Sequence, residues 1–149
     1  MKRKPLLPPT YLAIAVIVMV ALHFLIPVAH IIPFPWRLAG LLPLALGATL
    51  NLCADGAFRK AGTTVKPFQE STALITGGVY RICRHPMYLG FVLILLGVAL
   101  LLGSLTPFLV IPLFAIAIDR TFIVPEERML SRDFGPTWDE YREKVGRWL

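Results

Sequence analysis

Long apolar stretches alternate with short polar segments along this chain, and proline, glycine or clustered charge bounds each stretch. The first runs from about Tyr11 to Ile26, with room to continue past Pro27 towards Ile32. The second runs from Leu38 to about Ala54, the third from Tyr88 to Leu102 and the fourth from Phe108 to about Val124. Nearly uncharged stretches of this length predict membrane-spanning helices. Pro33-Phe34-Pro35-Trp36 predicts a turn between the first two, with Trp36 at the interface where amphipathic aromatics settle. Gly103-Ser104-Leu105-Thr106-Pro107 predicts the break that turns the last two into a hairpin. The hairpin's arms are short for a hydrocarbon core of about 30 Å. Gly90 and Gly97 lie two turns apart on one face of the third helix, so a neighbouring backbone could approach there, or a lateral gap could open.

Composition agrees with that pattern. Of 149 residues 56% are apolar, and the mean hydropathy of +0.70 exceeds that of soluble domains, which are about half apolar. The expected fold is all-α, an integral membrane bundle of about four helices with a C-terminal hairpin and an amphipathic tail helix. One unit covers 1–149, with two N-terminal spans in 1–54 and the ligand-binding core in 55–149. Internal repeats and low-complexity tracts are not seen. Lys2, Arg3 and Lys4 precede the first span, Arg59, Lys60, Lys66, Arg81 and Arg84 follow the second, and Arg128, Arg132, Arg142, Lys144 and Arg147 follow the fourth. Only Arg37 lies in the opposite loops, so the charge bias predicts that both termini and the 55–87 loop face the cytoplasm. The net charge of +6 then reads as topogenic and attracted to anionic lipid, not as a nucleic-acid footprint. The first span reads as a retained helix and not as a cleaved signal peptide, because Pro27-Val28-Ala29 is a poor cleavage site. Cys53 and Cys83 imply no disulfide.

Candidate chemistry concentrates in Gly77-Gly78-Val79-Tyr80-Arg81-Ile82-Cys83-Arg84-His85-Pro86-Met87-Tyr88-Leu89-Gly90. Asp119-Arg120 near the end of the fourth span and Glu126-Glu127 just beyond it form a second polar cluster. A folded hairpin brings these clusters together, and fixed cations beside fixed anions suit a zwitterionic ligand with several functional groups. Plainer readings exist. Arg81 suits a snorkelling side chain, and Pro125-Glu126-Glu127 suits a helix start with acids against the dipole. Asp119 and Arg120 could pair with each other, although ionisable groups at such depth tend to be functional. Cys83, beside Arg84, is either a mildly acidic thiol or a spacer. His23 and His30 share a face of the first helix at i, i+7, and without a third ligand no metal is expected. In the tail, Trp138, Tyr141, Val145 and Trp148 mark one helical face, which could lie on the membrane or close over the site.

Arg84-His85-Pro86-Met87-Tyr88-Leu89-Gly90, a hydrophobic hairpin and then Glu126-Glu127-x-x-Leu130-x-x-x-Phe134-Gly135-x-x-Trp138-x-x-Tyr141-x-x-x-Val145-x-Arg147 together resemble the isoprenylcysteine carboxyl methyltransferase family. The likeness is strongest to its short bacterial branch, through Gly62-Thr63-Thr64-Val65 and Leu74-Ile75-Thr76-Gly77-Gly78-Val79-Tyr80-Arg81 as well, and implies a bacterial inner membrane. Phosphatidylethanolamine N-methyltransferases are similar more distantly. The resemblance covers about 55–149; Trp138 departs from it, tyrosine being the family's commoner residue there. It implies a membrane methyltransferase that uses S-adenosylmethionine, whose groups the residues suit. Glu126 or Glu127 would pair with the ammonium or the ribose. Arg84, His85 or Arg120 would hold the carboxylate, an arginine doing so bidentately, and Tyr80 and Tyr88 offer hydroxyls and ring faces. Arg84, His85, Glu127 and Arg120 are the residues expected at the transfer step. The implied partner is a lipidic or membrane-partitioning acceptor, either a carboxylate, which needs no general base, or an amine or thiol, which His85 or a glutamate could deprotonate. A nicotinamide-dependent membrane reductase and a non-enzymatic adaptor are the alternatives from other classes.

Overall fold

The computed structural model describes residues 6–62 and 73–149. Lys2, Arg3, Lys4, Thr63, Thr64, Val65 and Lys66 lie outside the described residues. Pro8 and Pro9 open the first helix, α1 (Pro8–Leu25), where a missing backbone N–H costs nothing. The helix stops two residues before Pro27 and does not continue to Ile32. His30 is therefore in the following loop, and the expectation that it shares a helical face with His23 fails. The two rings still meet edge to face, with centroids 5.8 Å apart. A 3-10 turn at Trp36–Gly40 leads into α2 (Leu41–Lys60), and Trp36 is exposed at its start. Next comes a 3-10 turn at Gly78–Arg81 and then α3 (Pro86–Leu102), again opened by a proline.

The last long element is a single rod, Thr106–Phe134. It joins a 3-10 turn (Thr106–Leu109), α4 (Val110–Ile118), a π-helical turn (Asp119–Ile123) and α5 (Val124–Phe134). The sequence reading placed a helix start at Pro125-Glu126-Glu127. The structure instead carries the helix through Pro125 by widening the preceding turn. Proline has no N–H for the carbonyl four residues back, and its ring collides with that carbonyl. A π turn relieves the conflict, with the Val124 N–H reaching back to the Asp119 carbonyl. Gly135 breaks the rod with φ +49°, and α6 (Pro136–Lys144) follows. This helix is shorter than the tail pattern predicted: Val145 is extended, so Trp148 is not on its face.

Among the described residues three helices, Pro8–Leu25, Trp36–Lys60 and Thr106–Phe134, are long and apolar enough to cross a membrane. The protein is an integral membrane bundle. At 1.5 Å per residue the shorter α3 spans only about 25 Å, yet it is the most deeply buried element, with Tyr88, Gly90, Phe91, Leu95, Gly97 and Ala99 in the interior. Met19, Leu95, Ile118, Phe122 and Ile123 are sealed completely and join α1, α3 and the rod into one core. Because α3 is surrounded largely by protein, its length does not have to match the lipid.

The predicted hairpin partner is only the lesser neighbour of α3. Its main contact is α2, which it meets glycine to glycine. A Cβ on Gly97 would lie 2.6 Å from the Gly40 carbonyl oxygen and 2.7 Å from Leu44 Cβ. Two turns away, Gly90 faces the Gly47 carbonyl and the Asn51 side chain. The glycines anticipated as a close approach or a lateral gap are thus fully occupied by α2, and no gap opens there. At the far end, Gly103 (φ +72°) lies against Arg37, whose Nε donates to the Ile32 carbonyl at 2.7 Å. His23 Nδ1 and Ser104 Oγ are 2.7 Å apart and tie α1 to that turn.

Candidate active site at the polar end of the bundle

Proline decides where the site begins. Pro86 starts α3, so His85 is held just outside the helix at φ −127° and ψ 61°, and its ring turns inward, only 6% exposed. The π turn places Glu126 and Glu127 opposite it. His85 Nε2 lies 3.3 Å from Glu127 Oε1, and Nδ1 lies 3.7 Å from Glu126 Oε2. Tyr88, one turn into α3, donates its hydroxyl to Glu126 Oε1 at 2.7 Å and stacks on the His85 ring at 5.8 Å. The two charged clusters anticipated from sequence do meet.

The two glutamates differ in their surroundings. Glu127 is heavily compensated: Arg84 Nη2 is 3.3 Å away, and Arg147 grips both oxygens through Nη2 at 2.5 Å and Nε at 3.2 Å. Charge-assisted forks of this kind are the strongest hydrogen bonds a protein makes. Glu126 receives the Tyr88 hydroxyl and the longer His85 contact. Arg84 itself is 9% exposed, with its guanidinium 5.5 Å from the Trp138 ring centroid. Two of its donors, Nε and Nη1, are buried without a partner among the described residues. A donor left bare in an apolar setting costs free energy, about 1–3 kcal/mol. Burial lowers the guanidinium's pKa, Glu127 opposing, and the group stays a cation because its ordinary value is far above neutrality. The hydrogen bond to Glu127 raises that of Arg147.

The tail closes around this centre. Trp138 and Tyr141 are buried. Tyr141 donates to the Tyr80 carbonyl at 2.6 Å, and the Arg84 N–H donates to the Gly146 carbonyl at 2.9 Å. Tyr80 is buried with its ring against Phe58 at 5.8 Å, and burial raises its pKa, so it remains a neutral hydroxyl.

Arg84, His85, Tyr88, Glu126 and Glu127 are therefore assembled as expected, with Tyr80 one contact further out. Arg120 is not with them. It is exposed on the π turn and does not pair with Asp119, whose Oδ1 takes Arg147 Nη1 at 3.2 Å. One helical residue of offset turns neighbouring side chains to different faces. The sequence reading put Asp119 in the second polar cluster and Arg147 at the end of the motif, but counted neither among the residues expected at the transfer step or the cofactor. The usable signal for Arg147 was a cation closing the motif past the end of a helical pattern. Burial raises the Cys83 pKa, so the acidic-thiol reading gives way to the spacer. Among the described residues no group of three or more His, Cys, Asp or Glu side chains is placed to hold a metal.

Comparison with known proteins places these residues in a family. Residues 36–137 match the family model described as phospholipid methyltransferase. Over 75 residues the chain is 39% identical to a protein-S-isoprenylcysteine O-methyltransferase of Schizosaccharomyces pombe, covering 48% of this chain and 30% of that protein. Over 81 residues it is 37% identical to protein-S-isoprenylcysteine O-methyltransferase A of Arabidopsis thaliana, covering 52% and 40%. A nickel-cobalt-cadmium resistance protein, NccN, of Alcaligenes xylosoxydans xylosoxydans is 32% identical over 77 residues, covering 52% and 36%. In three dimensions the chain is similar to the eukaryotic intramembrane Ras methyltransferase ICMT, with a TM-score of 0.61 and 27% identity, over 94% of this chain and 51% of that one. The matched segments thus span well under half of these relatives' sequences, and about half of the solved chain. The chain belongs to the phospholipid methyltransferase family, in which its likeness is to the isoprenylcysteine carboxyl methyltransferases.

Proposed function

We propose that this protein is an S-adenosylmethionine-dependent membrane methyltransferase whose acceptor is the carboxylate of a lipid-borne group, of the isoprenylcysteine kind. The observation that carries the reading is Arg84, nine-tenths buried with two donors unpartnered among the described residues, fixed beside a pair of inward-facing glutamates. That donor set fits the cofactor. The free edge of Arg84 suits a carboxylate, and Glu126, less compensated than Glu127, suits an ammonium or a ribose diol. Tyr80, Tyr88 and His85 supply ring faces and polar edges around them. When bound, S-adenosylmethionine supplies an electrophilic methyl group on a sulfonium sulfur. The chain's part is to hold donor and acceptor collinear and to exclude water. Trp138, Tyr141 and residues 145–148 cover the polar cluster and serve the exclusion. The acceptor's own anion needs no general base, which leaves the His85 imidazole free to orient Glu127.

Labelled S-adenosylmethionine, incubated with purified protein and either a prenylcysteine analogue or a membrane lipid extract, tests the reading. The expected product is a base-labile methyl ester. Label that resists base and is carried by an amine lipid or a thioether would replace the carboxylate acceptor with one of those.

The same reading puts the polar end of the bundle, both termini and the 55–87 loop in the cytoplasm, where a charged cofactor is available. A reporter fused after Leu149 is expected to read as cytoplasmic. A periplasmic or luminal readout would reverse the orientation.

A further inference from the structure

The π turn does more than accommodate a proline. Asp119 and Glu127 are eight residues apart on one rod. In a plain α-helix two turns take about seven residues, so they would point in different directions. A π turn takes up roughly one residue more, which brings two turns to about eight and stacks the two acids on one face. Arg147 bridges them. Its Nη1 bonds Asp119 Oδ1 at 3.2 Å, while Nε and Nη2 fork onto Glu127. Asp119 also lies outside the Arg-His-Pro and Glu-Glu motifs, so its service to the site depends on the helix geometry.

We infer that Asp119 is a positioning residue. By anchoring the far nitrogen of Arg147 it fixes the plane of that guanidinium, and through it the rotamer of Glu127. It touches neither cofactor nor acceptor. A planar guanidinium bound at three of its nitrogens cannot swing, whereas one bound only to Glu127 can pivot and take the carboxylate with it. Asp119 is 20% exposed and Arg147 37%, so the anchor is accessible to water and works through geometry more than through charge. The inference rests on the proposed cofactor reading only where Glu127's ligand is concerned.

Two measurements test it. In ligand-free protein labelled with 15N-arginine, the Arg147 Nε–H resonance, assigned by its loss in Arg147→Ala, should be protected from exchange. Asp119→Ala should abolish that protection, and Asp119→Asn, which keeps an acceptor oxygen, should preserve most of it. Separately, Asp119→Ala should weaken S-adenosylmethionine binding about fivefold to tenfold, the scale of one ordinary hydrogen bond acting at second hand. In an Arg147→Ala background it should add nothing, because its action runs through that residue. An unchanged Nε–H signal in Asp119→Ala overturns the anchor, and so does full additivity of the two substitutions. If wild-type protein binds no S-adenosylmethionine, the cofactor reading fails, while the resonance still decides whether Asp119 positions Arg147.

Discussion

Glu127→Gln is expected to weaken S-adenosylmethionine binding by roughly a hundredfold, and His85→Ala by about tenfold. The asymmetry follows from the charges each side chain balances. Glu127 accepts from Arg84, His85 and Arg147 together. Making it neutral leaves the buried Arg84 cation without its one ion-pair partner among the described residues, and breaking a buried pair from one side is costly, about 3–5 kcal/mol. The freed arginines would also repel each other across the site. Removing His85 deletes one neighbour of each glutamate but leaves the cation–anion balance in place. Titration calorimetry in detergent, with circular dichroism to confirm that the helices persist, measures both. Unchanged affinity in both variants would take the cofactor away from this cluster.

The second large effect is on stability, at the contact between α2 and α3. Gly97→Val is expected to destabilise the bundle by roughly 3 kcal/mol or more, the upper range for overpacking a filled interface. Its new side chain would meet the Gly40 carbonyl and Leu44 on a facing backbone, and backbone cannot rotate away as a side chain can. Gly56 provides the contrast. It lies on the same α2, but a Cβ there meets nothing within 4 Å among the described residues. Gly56→Ala should therefore be neutral or should stabilise by about 0.5–1 kcal/mol through helix propensity. Denaturant titration of the two variants in one detergent reads the difference. Wild-type stability in Gly97→Val would mean that α2 and α3 do not touch there.

The α2–α3 contact and the polar cluster are coupled in the fold. Gly90 lies one turn above Pro86, so the same interface that seats α3 also fixes where His85 and Tyr88 enter the site. Loosening of that interface should lower cofactor affinity before the helices themselves are lost. Tyr88 reports on this directly, because its hydroxyl bonds Glu126 on the rod while its ring rides on α3.

Much of this protein was determined by sequence alone. Runs of apolar residues that cannot be buried in so short a soluble chain dictate membrane helices, and helices satisfy their own backbone in lipid. Proline before an apolar run sets the start of α3 and leaves His85 outside it. Arg84, His85, Tyr88, Glu126 and Glu127 were legible because local motifs with fixed spacing carried them. Tertiary structure decided the rest. Whether α3 paired with α2 or with its hairpin neighbour depended on matching glycines more than forty residues apart, which no local period reveals. Whether Pro125 began a helix or widened one depended on the tertiary core, in which Phe122 and Ile123 on the π turn are fully buried and the helix runs on through the proline. Arg120 and Asp119 are adjacent in sequence and equally charged in magnitude. Only the rotation of the π turn, and a tail that folds back to deliver Arg147, turned one towards the site and left the other at the surface.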